Sequence, residues 1–338
     1  MTRLFLLSLT GLTLAFAGCG SEPAAETSTA QPDAATRSEA DLQPVLMQLD
    51  WIHNAQFAGI YQAVEQGFYA DAGFAVEIRT APKSRSVVES VADYDGLAIG
   101  SSESNVLLVA RAEGQPVVAL ATMFQDSPMG WAYLEESGIE GVEDFAGKTI
   151  GIHADGEKVI DIALAANGLT RNNLTFEKVG WDPVIVAKGE VDLMQVYVID
   201  EFVKLQLMTD GGAGIVMAKD NGYLAYSQVM FAMEDDVAAY PAAIAAFLKA
   251  TQQGWEYAAA HQAETVDLII SEYNPELDPA YQRASLAEVI NLVKPDGRTA
   301  LAPMDPEKWA ASMALFQEHG IIEDPVDLQK LLNFSLNP

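Results

Sequence analysis

The chain has 338 residues, half of them hydrophobic, which is enough for a sizeable buried core. Acidic residues outnumber basic ones by 48 to 19, for a net charge of −29 at neutral pH. That excess argues against nucleic acid and against an anionic membrane surface as binding partners, and it reads as a solvated acidic exterior.

The N-terminus reads as an export signal. Thr2 and Arg3 supply a short positive start, residues 4–17 form an apolar stretch too short to span a bilayer, and the small residues Ala17 and Gly18 precede Cys19. Residues 1–18 are thus expected to be a lipoprotein signal peptide. Ala17-Gly18-Cys19 resembles a bacterial lipobox, with Phe16 where leucine is more usual. Cleavage would make Cys19, the only cysteine, the lipidated N-terminus; the alternative is an ordinary signal peptide with a chance cysteine. No disulfide can form within the chain. Residues 19–43 are rich in Ala, Ser, Thr, Glu, Pro and Asp and cannot bury enough surface to fold, so they read as a flexible tether. No later apolar run reaches transmembrane length.

From residue 44 strands and helices alternate. Strands are expected at 45–49, 75–80, 97–100 and 117–123, and helices at 57–66, 85–92 and 103–113. In the first helix Phe57, Ile60, Tyr61 and Val64 fall at helical spacing. Such alternation implies a largely parallel sheet. Phe124-Gln125-Asp126-Ser127-Pro128 breaks the rhythm and reads as a crossing into a second lobe. Strands are expected there at 131–135, 148–153, 175–179, 191–198 and 214–218, with helices at 156–166 and 183–188. Residues 228–233 read as the return strand, and the hinge is expected near 125–128 and 228–233. Helices at 237–261, 264–271, 279–292 and 305–319 complete the chain. The organisation implied is a first lobe from 44–126 and 229–338 and a second lobe from 127–228.

The run from Leu49-Asp50-Trp51-Ile52-His53-Asn54 through Ala55-Gln56-Phe57-Ala58-Gly59-Ile60-Tyr61 resembles the opening of the thiamine-pyrimidine-precursor binding proteins, as do Glu65-Gln66-Gly67-Phe68-Tyr69 and Ala72-Gly73-Phe74. Those are type II periplasmic solute-binding proteins of ABC importers, related to the fungal thiamine pyrimidine synthases. The resemblance continues through Gly114-Gln115-Pro116, the crossing segment, Asp144-Phe145-Ala146-Gly147-Lys148, Gly254-Trp255 and Trp309. It implies an α/β fold of two lobes with a hinge and a ligand cleft between them. The fungal synthases carry a histidine, consumed as substrate, where this chain has Phe57, and a cysteine-rich motif that this chain lacks; an enzyme is therefore not expected.

Ligands of open α/β sheets lie beyond the carboxyl ends of the strands. Three loops satisfy that placement. In the first, Trp51, Phe57 and Tyr61 offer flat apolar faces and Asn54 a donor and an acceptor, although Phe57 and Tyr61 equally suit one face of a core helix. In the second, Ser102 and Glu103 stand at a helix start, where a serine can cap and a glutamate can complement the helix dipole. In the third group stand Trp181, Tyr197 and Glu201, and the resemblance implies that the tyrosine and the glutamate close over the ligand. Lys83 and Arg85 keep an anionic ligand such as a sulfonate open. The histidines at 53, 153, 261 and 319 have no metal-ligand spacing, and no nucleophile or phosphate loop is present, so neither cofactor nor metal is expected.

The expected function is a monomeric, membrane-anchored lipoprotein at the periplasmic or extracellular face of the cell envelope. It would capture a small-molecule ligand, a planar nitrogen heterocycle like a thiamine pyrimidine precursor, and pass it to an ABC permease and ATPase. A flavin, a sulfonate or another nitrogenous compound, or a ligand-sensing ectodomain, are the alternatives.

Overall fold

The computed structural model describes residues 41–153 and 156–337. The expected signal peptide, Cys19 and nearly all of the expected tether lie outside the described residues. The tether's last residue, Gln43, already belongs to strand β1 (Gln43–Gln48).

Helices α1 (Ala58–Glu65) and α2 (Phe68–Asp71) lead to β2 (Phe74–Arg79), which pairs with β1 in parallel. Then come α3 (Val87–Ala92), opened by a reciprocal cap between Ser86 and Glu89, and β3 (Leu97–Ser102). Helix α4 (Ser104–Ala112) and β4 (Val117–Phe124) follow. After the crossing, β5 (Met129–Leu134) begins the second lobe, with β6 (Thr149–Ile152), α5 (Glu157–Ala166), β7 (Thr175–Lys178), α6 (Val184–Ala187), β8 (Leu193–Tyr197), α7 (Glu201–Met208) and β9 (Ala213–Met217). The chain returns as β10 (Ser227–Met233). The described residues form two five-stranded sheets, ordered β2-β1-β3-β10-β4 and β7-β6-β8-β5-β9.

Each sheet is mixed, not simply parallel: β10 pairs antiparallel with β3 and β4, and β5 with β8 and β9. The reason is directional. The other strands run toward the cleft between the lobes, whereas a chain arriving from the opposite lobe enters at the cleft and must run away from it. The return crossing also precedes the stretch expected to be hinge, because residues 228–233 lie buried inside the first sheet.

The C-terminal third is helical and covers the first lobe. The single helix expected at 237–261 is two, α8 (Glu234–Ala239) and α9 (Pro241–Ala260). Pro241 has no N–H to continue α8 and starts α9 at no cost. Helix α10 (Gln262–Leu268) runs into a π-helical turn at Ile269–Tyr273 and is followed by α11 (Pro279–Val293), α12 (Pro306–Glu318) and α13 (Leu328–Leu331).

Two details of packing position the cleft. Helices α1 and α9 meet backbone to backbone: a Cβ on Gly254 would stand 2.0 Å from the Gly59 carbonyl oxygen, and one on Gly59 would strike the Trp255 indole at 2.2 Å. Helix α12 rests on the return crossing, with Trp309 against Tyr226 and Phe316 against Tyr223 at ring centroid distances of 5.9 and 6.0 Å. No described helix is long and apolar enough to cross a membrane.

Candidate functional site

A cavity of about 310 Å³ opens between the lobes, at the carboxyl ends of their parallel strands. The first lobe contributes Asp50, Trp51 and Gln56 from the loop after β1, Ser102 and Glu103 from the end of β3, Val87 and Val106 from two helices, and Gln228 from the start of β10. The second lobe contributes Trp181 from the loop after β7, Tyr197 from the end of β8, and Asp200 and Glu201 from the start of α7.

Six of the nine residues singled out from the sequence thus meet at one cavity: Trp51, Ser102, Glu103, Trp181, Tyr197 and Glu201. The Trp51 backbone is fixed because its carbonyl accepts from the Ala81 N–H at 3.0 Å, and its half-open ring reaches Trp181 of the other lobe. Trp181 is backed by His153, with ring centroids 3.8 Å apart, and the His153 Nε2 lies 3.1 Å from the Gly180 carbonyl oxygen.

The other three are structural. Asn54 is 6 % exposed and caps the short turn after it: its Oδ1 accepts from the Gln56 N–H at 3.0 Å, so it seats Gln56 instead of lining the cavity. Phe57 is fully buried in the first-lobe core and does not line the cavity. Tyr61 is equally buried, with its hydroxyl 3.0 Å from His53 Nδ1 and its ring 4.0 Å from that of Tyr273. Nor does a serine cap α4. Glu103 occupies the cap position, its carboxylate accepts from the Ser227 hydroxyl at 2.5 Å, and Ser104 Oγ accepts from the Tyr226 N–H.

Sequence reasoning missed Asp50, Gln56, Asp200 and Gln228 as lining residues. Asp50 directly precedes Trp51 in the first loop, and that place was the available signal. Its carboxylate accepts from the Gln228 amide at 3.0 Å to each oxygen and from the Ser101 hydroxyl at 3.3 Å. Burial outweighs these donors and pushes its pKa up to about 6. Glu201, which accepts from the Tyr197 N–H at 2.9 Å, is pushed up to about 7 by burial and by the neighbouring Asp200.

The cavity therefore presents aromatic faces from both lobes and four carboxyl groups, Asp50, Glu103, Asp200 and Glu201, with no Lys, Arg or His among its described lining residues. Arg85 lies elsewhere, paired with Asp93 and bonded to Ser90. The described residues hold no group of three metal-ligating side chains. Chemically the arrangement is suited to stacking a flat ring while accepting hydrogen bonds from its edge.

The lobes are also pinned to each other beside the cavity. Ile199 of the second lobe is buried in the first-lobe core, the Ser285 hydroxyl of α11 donates to its carbonyl at 2.6 Å, and the Tyr281 hydroxyl donates to Asp200 at 2.5 Å.

A family model described as NMT1/THI5 like matches residues 54–265. The riboflavin-binding protein RibY of Chloroflexus aurantiacus is 27% identical over 98% of this chain and 97% of its own. A 4-amino-5-hydroxymethyl-2-methylpyrimidine phosphate synthase of Legionella pneumophila is 24% identical over 71% of this chain and 77% of its own. Among solved structures, the periplasmic aliphatic sulphonate binding protein SsuA of Escherichia coli superposes with a TM-score of 0.66 at 15% identity, over 85% of this chain and 96% of that one. The fold is that of a periplasmic binding protein with two lobes.

Proposed function

The chain belongs to the NMT1/THI5-like family, and on that footing we propose that it is a solute-binding protein of an ABC importer, exported and lipid-anchored through Cys19, that captures a planar nitrogen heterocycle of the aminopyrimidine kind. The observation that carries this reading is a two-lobe cavity with aromatic rings on both walls and carboxyl groups, but no described basic side chain, around its edge. A ligand that stacks and donates N–H bonds fits such a lining. An anion does not, which sets this cavity apart from one for sulfonates despite the shared fold.

The ring lies against the aromatic side chains of the cavity, the carboxyl groups accept from its edge, and closure of the second lobe brings Tyr197 and Glu201 onto the ligand. The permease partner would recognise the closed form. An enzyme of pyrimidine synthesis is disfavoured because Phe57, at the position the resemblance gives to a consumed histidine, is buried away from the cavity. The relation to RibY over almost the whole chain supports a second reading, a flavin-type tricycle held in the same cavity.

Calorimetric titration of the purified protein with 4-amino-5-hydroxymethyl-2-methylpyrimidine, riboflavin and an alkanesulfonate tests the reading. Saturable binding of a heterocycle that is lost in Trp51→Ala and Glu103→Ala supports it. Binding of the sulfonate alone, or full affinity in both variants, overturns it.

A further inference from the structure

Gln228 stands in a conformation that a residue with a Cβ rarely adopts. It lies at the start of β10 with φ of 53°, in the left-handed region, and is 3 % exposed. Its Nε2 donates to both oxygens of Asp50 at 3.0 Å. Its Oε1 is buried without a hydrogen-bond partner among the described residues, although Gln228 lines the cavity. Buried amide oxygens are nearly always satisfied, so an orphan beside a ligand cavity asks for a donor. The amide cannot simply turn over, because an ionised carboxylate only accepts: Nε2 must face Asp50, and Oε1 must face away from it. Ser227, the neighbouring residue, holds Glu103 in the same way at 2.5 Å. The two residues that bring the chain back into the first lobe thus each grip one cavity acid.

We propose that Gln228 is the specificity-determining residue of the cleft: its Oε1 accepts from an amino or ring N–H of the ligand, and its Nε2 fixes Asp50 as a second acceptor beside it. This deepens the heterocycle reading and rests on it. Two neighbouring acceptors select an edge that offers two N–H donors, as an exocyclic amine does with its two hydrogens. They discriminate against an imide edge, whose single N–H is flanked by carbonyl oxygens, and so separate the aminopyrimidine class from the flavin class. The strained backbone is explained by the same role, since it delivers the amide to Asp50 from the return strand.

The test compares the natural protein with Gln228→Asn and Gln228→Leu. Asparagine tolerates the left-handed backbone and keeps an amide, but withdraws it by one methylene; leucine keeps the bulk and removes both polar functions. Each is titrated with 4-amino-5-hydroxymethyl-2-methylpyrimidine and with riboflavin, after thermal melting has shown it folded. If leucine is not accommodated at this φ, the asparagine variant carries the test. The expected result is tighter binding of the aminopyrimidine by the natural protein and a loss of about tenfold or more in both variants, with a smaller change for riboflavin. Unchanged aminopyrimidine affinity, equal losses for both ligands, or a natural preference for riboflavin overturns the role of Gln228 while leaving heterocycle binding intact. Binding of neither heterocycle overturns the functional reading and this inference with it.

Discussion

The indole of Trp51, carried by the first lobe, meets that of Trp181, carried by the second, edge to face with ring centroids 5.9 Å apart. Both rings line the cavity. Replacing either ring by alanine is expected to weaken ligand binding, and the two losses are expected to be coupled. A double-mutant cycle on the dissociation constants should give a coupling of about 0.5–1.5 kcal/mol, the usual worth of an aromatic pair. Strict additivity would mean that the rings act separately.

The grip of α11 on residues 199–201 predicts a different phenotype. Tyr281→Phe removes the hydroxyl that donates to Asp200 and leaves that acid to Lys204, 2.7 Å away. A hydrogen bond to a charged group is worth about 1.5–3 kcal/mol. The unliganded variant should expand in small-angle scattering and bind ligand more weakly, with little change in the heat-denaturation midpoint. An unchanged radius of gyration would show that the lobes are held together elsewhere.

Gly254→Ala should damage the fold and spare the site. The new Cβ would force α1 and α9 apart at the Gly59 carbonyl, far more than a side-chain adjustment can absorb. Overpacking of this kind costs about 1–3 kcal/mol and occasionally more. Urea denaturation should show that loss, while the folded fraction binds ligand with natural affinity.

The cavity acids predict a pH dependence of definite sign. Asp50 and Glu201 hold their protons up to about pH 6 and 7, whereas the unfolded chain releases them near the ordinary carboxylate range. Between these limits the folded state binds more protons, so the stability of the empty protein falls as pH rises through that window. Asp50→Asn and Glu201→Gln should each flatten the dependence of melting temperature on pH. A ligand that donates N–H bonds favours the ionised carboxylates, so binding near pH 6 should release protons, visible as a calorimetric enthalpy that varies with buffer ionisation.

How far these features can be read from sequence depends on the range of the interactions behind them. Strand and helix alternation is local, and the two-lobe α/β architecture follows from it. The antiparallel direction of β5 and β10 is set by where the chain re-enters a lobe, which no short window records. In the first loop, Trp51 and Asn54 are both polar-tipped residues in one turn, yet one opens to the cavity and the other turns inward to the Gln56 N–H. Helical spacing put Phe57 and Tyr61 on one face without saying whether core or ligand lay against it, and burial decides for the core. Gln228 carried no signal, because its role depends on a strand that joins Asp50 only after the whole second lobe has been traversed. Gly59 and Gly254, conspicuous within the motifs that carry the family resemblance, serve a helix crossing and stand outside the cavity lining.

The place of β10 also dictates an order of assembly. It lies between β3 and β4 in the first sheet, so β4 has no neighbour to pair with until the chain has passed through Ser227. The second sheet, by contrast, is complete within Met129–Met217. The second lobe can mature while the first still exposes two apolar strand edges, a surface prone to pairing with another chain. Formation of the first lobe, with its long-range pairings, is expected to be the slower of the two. A chain of this design keeps those edges open until β10 slots into the gap.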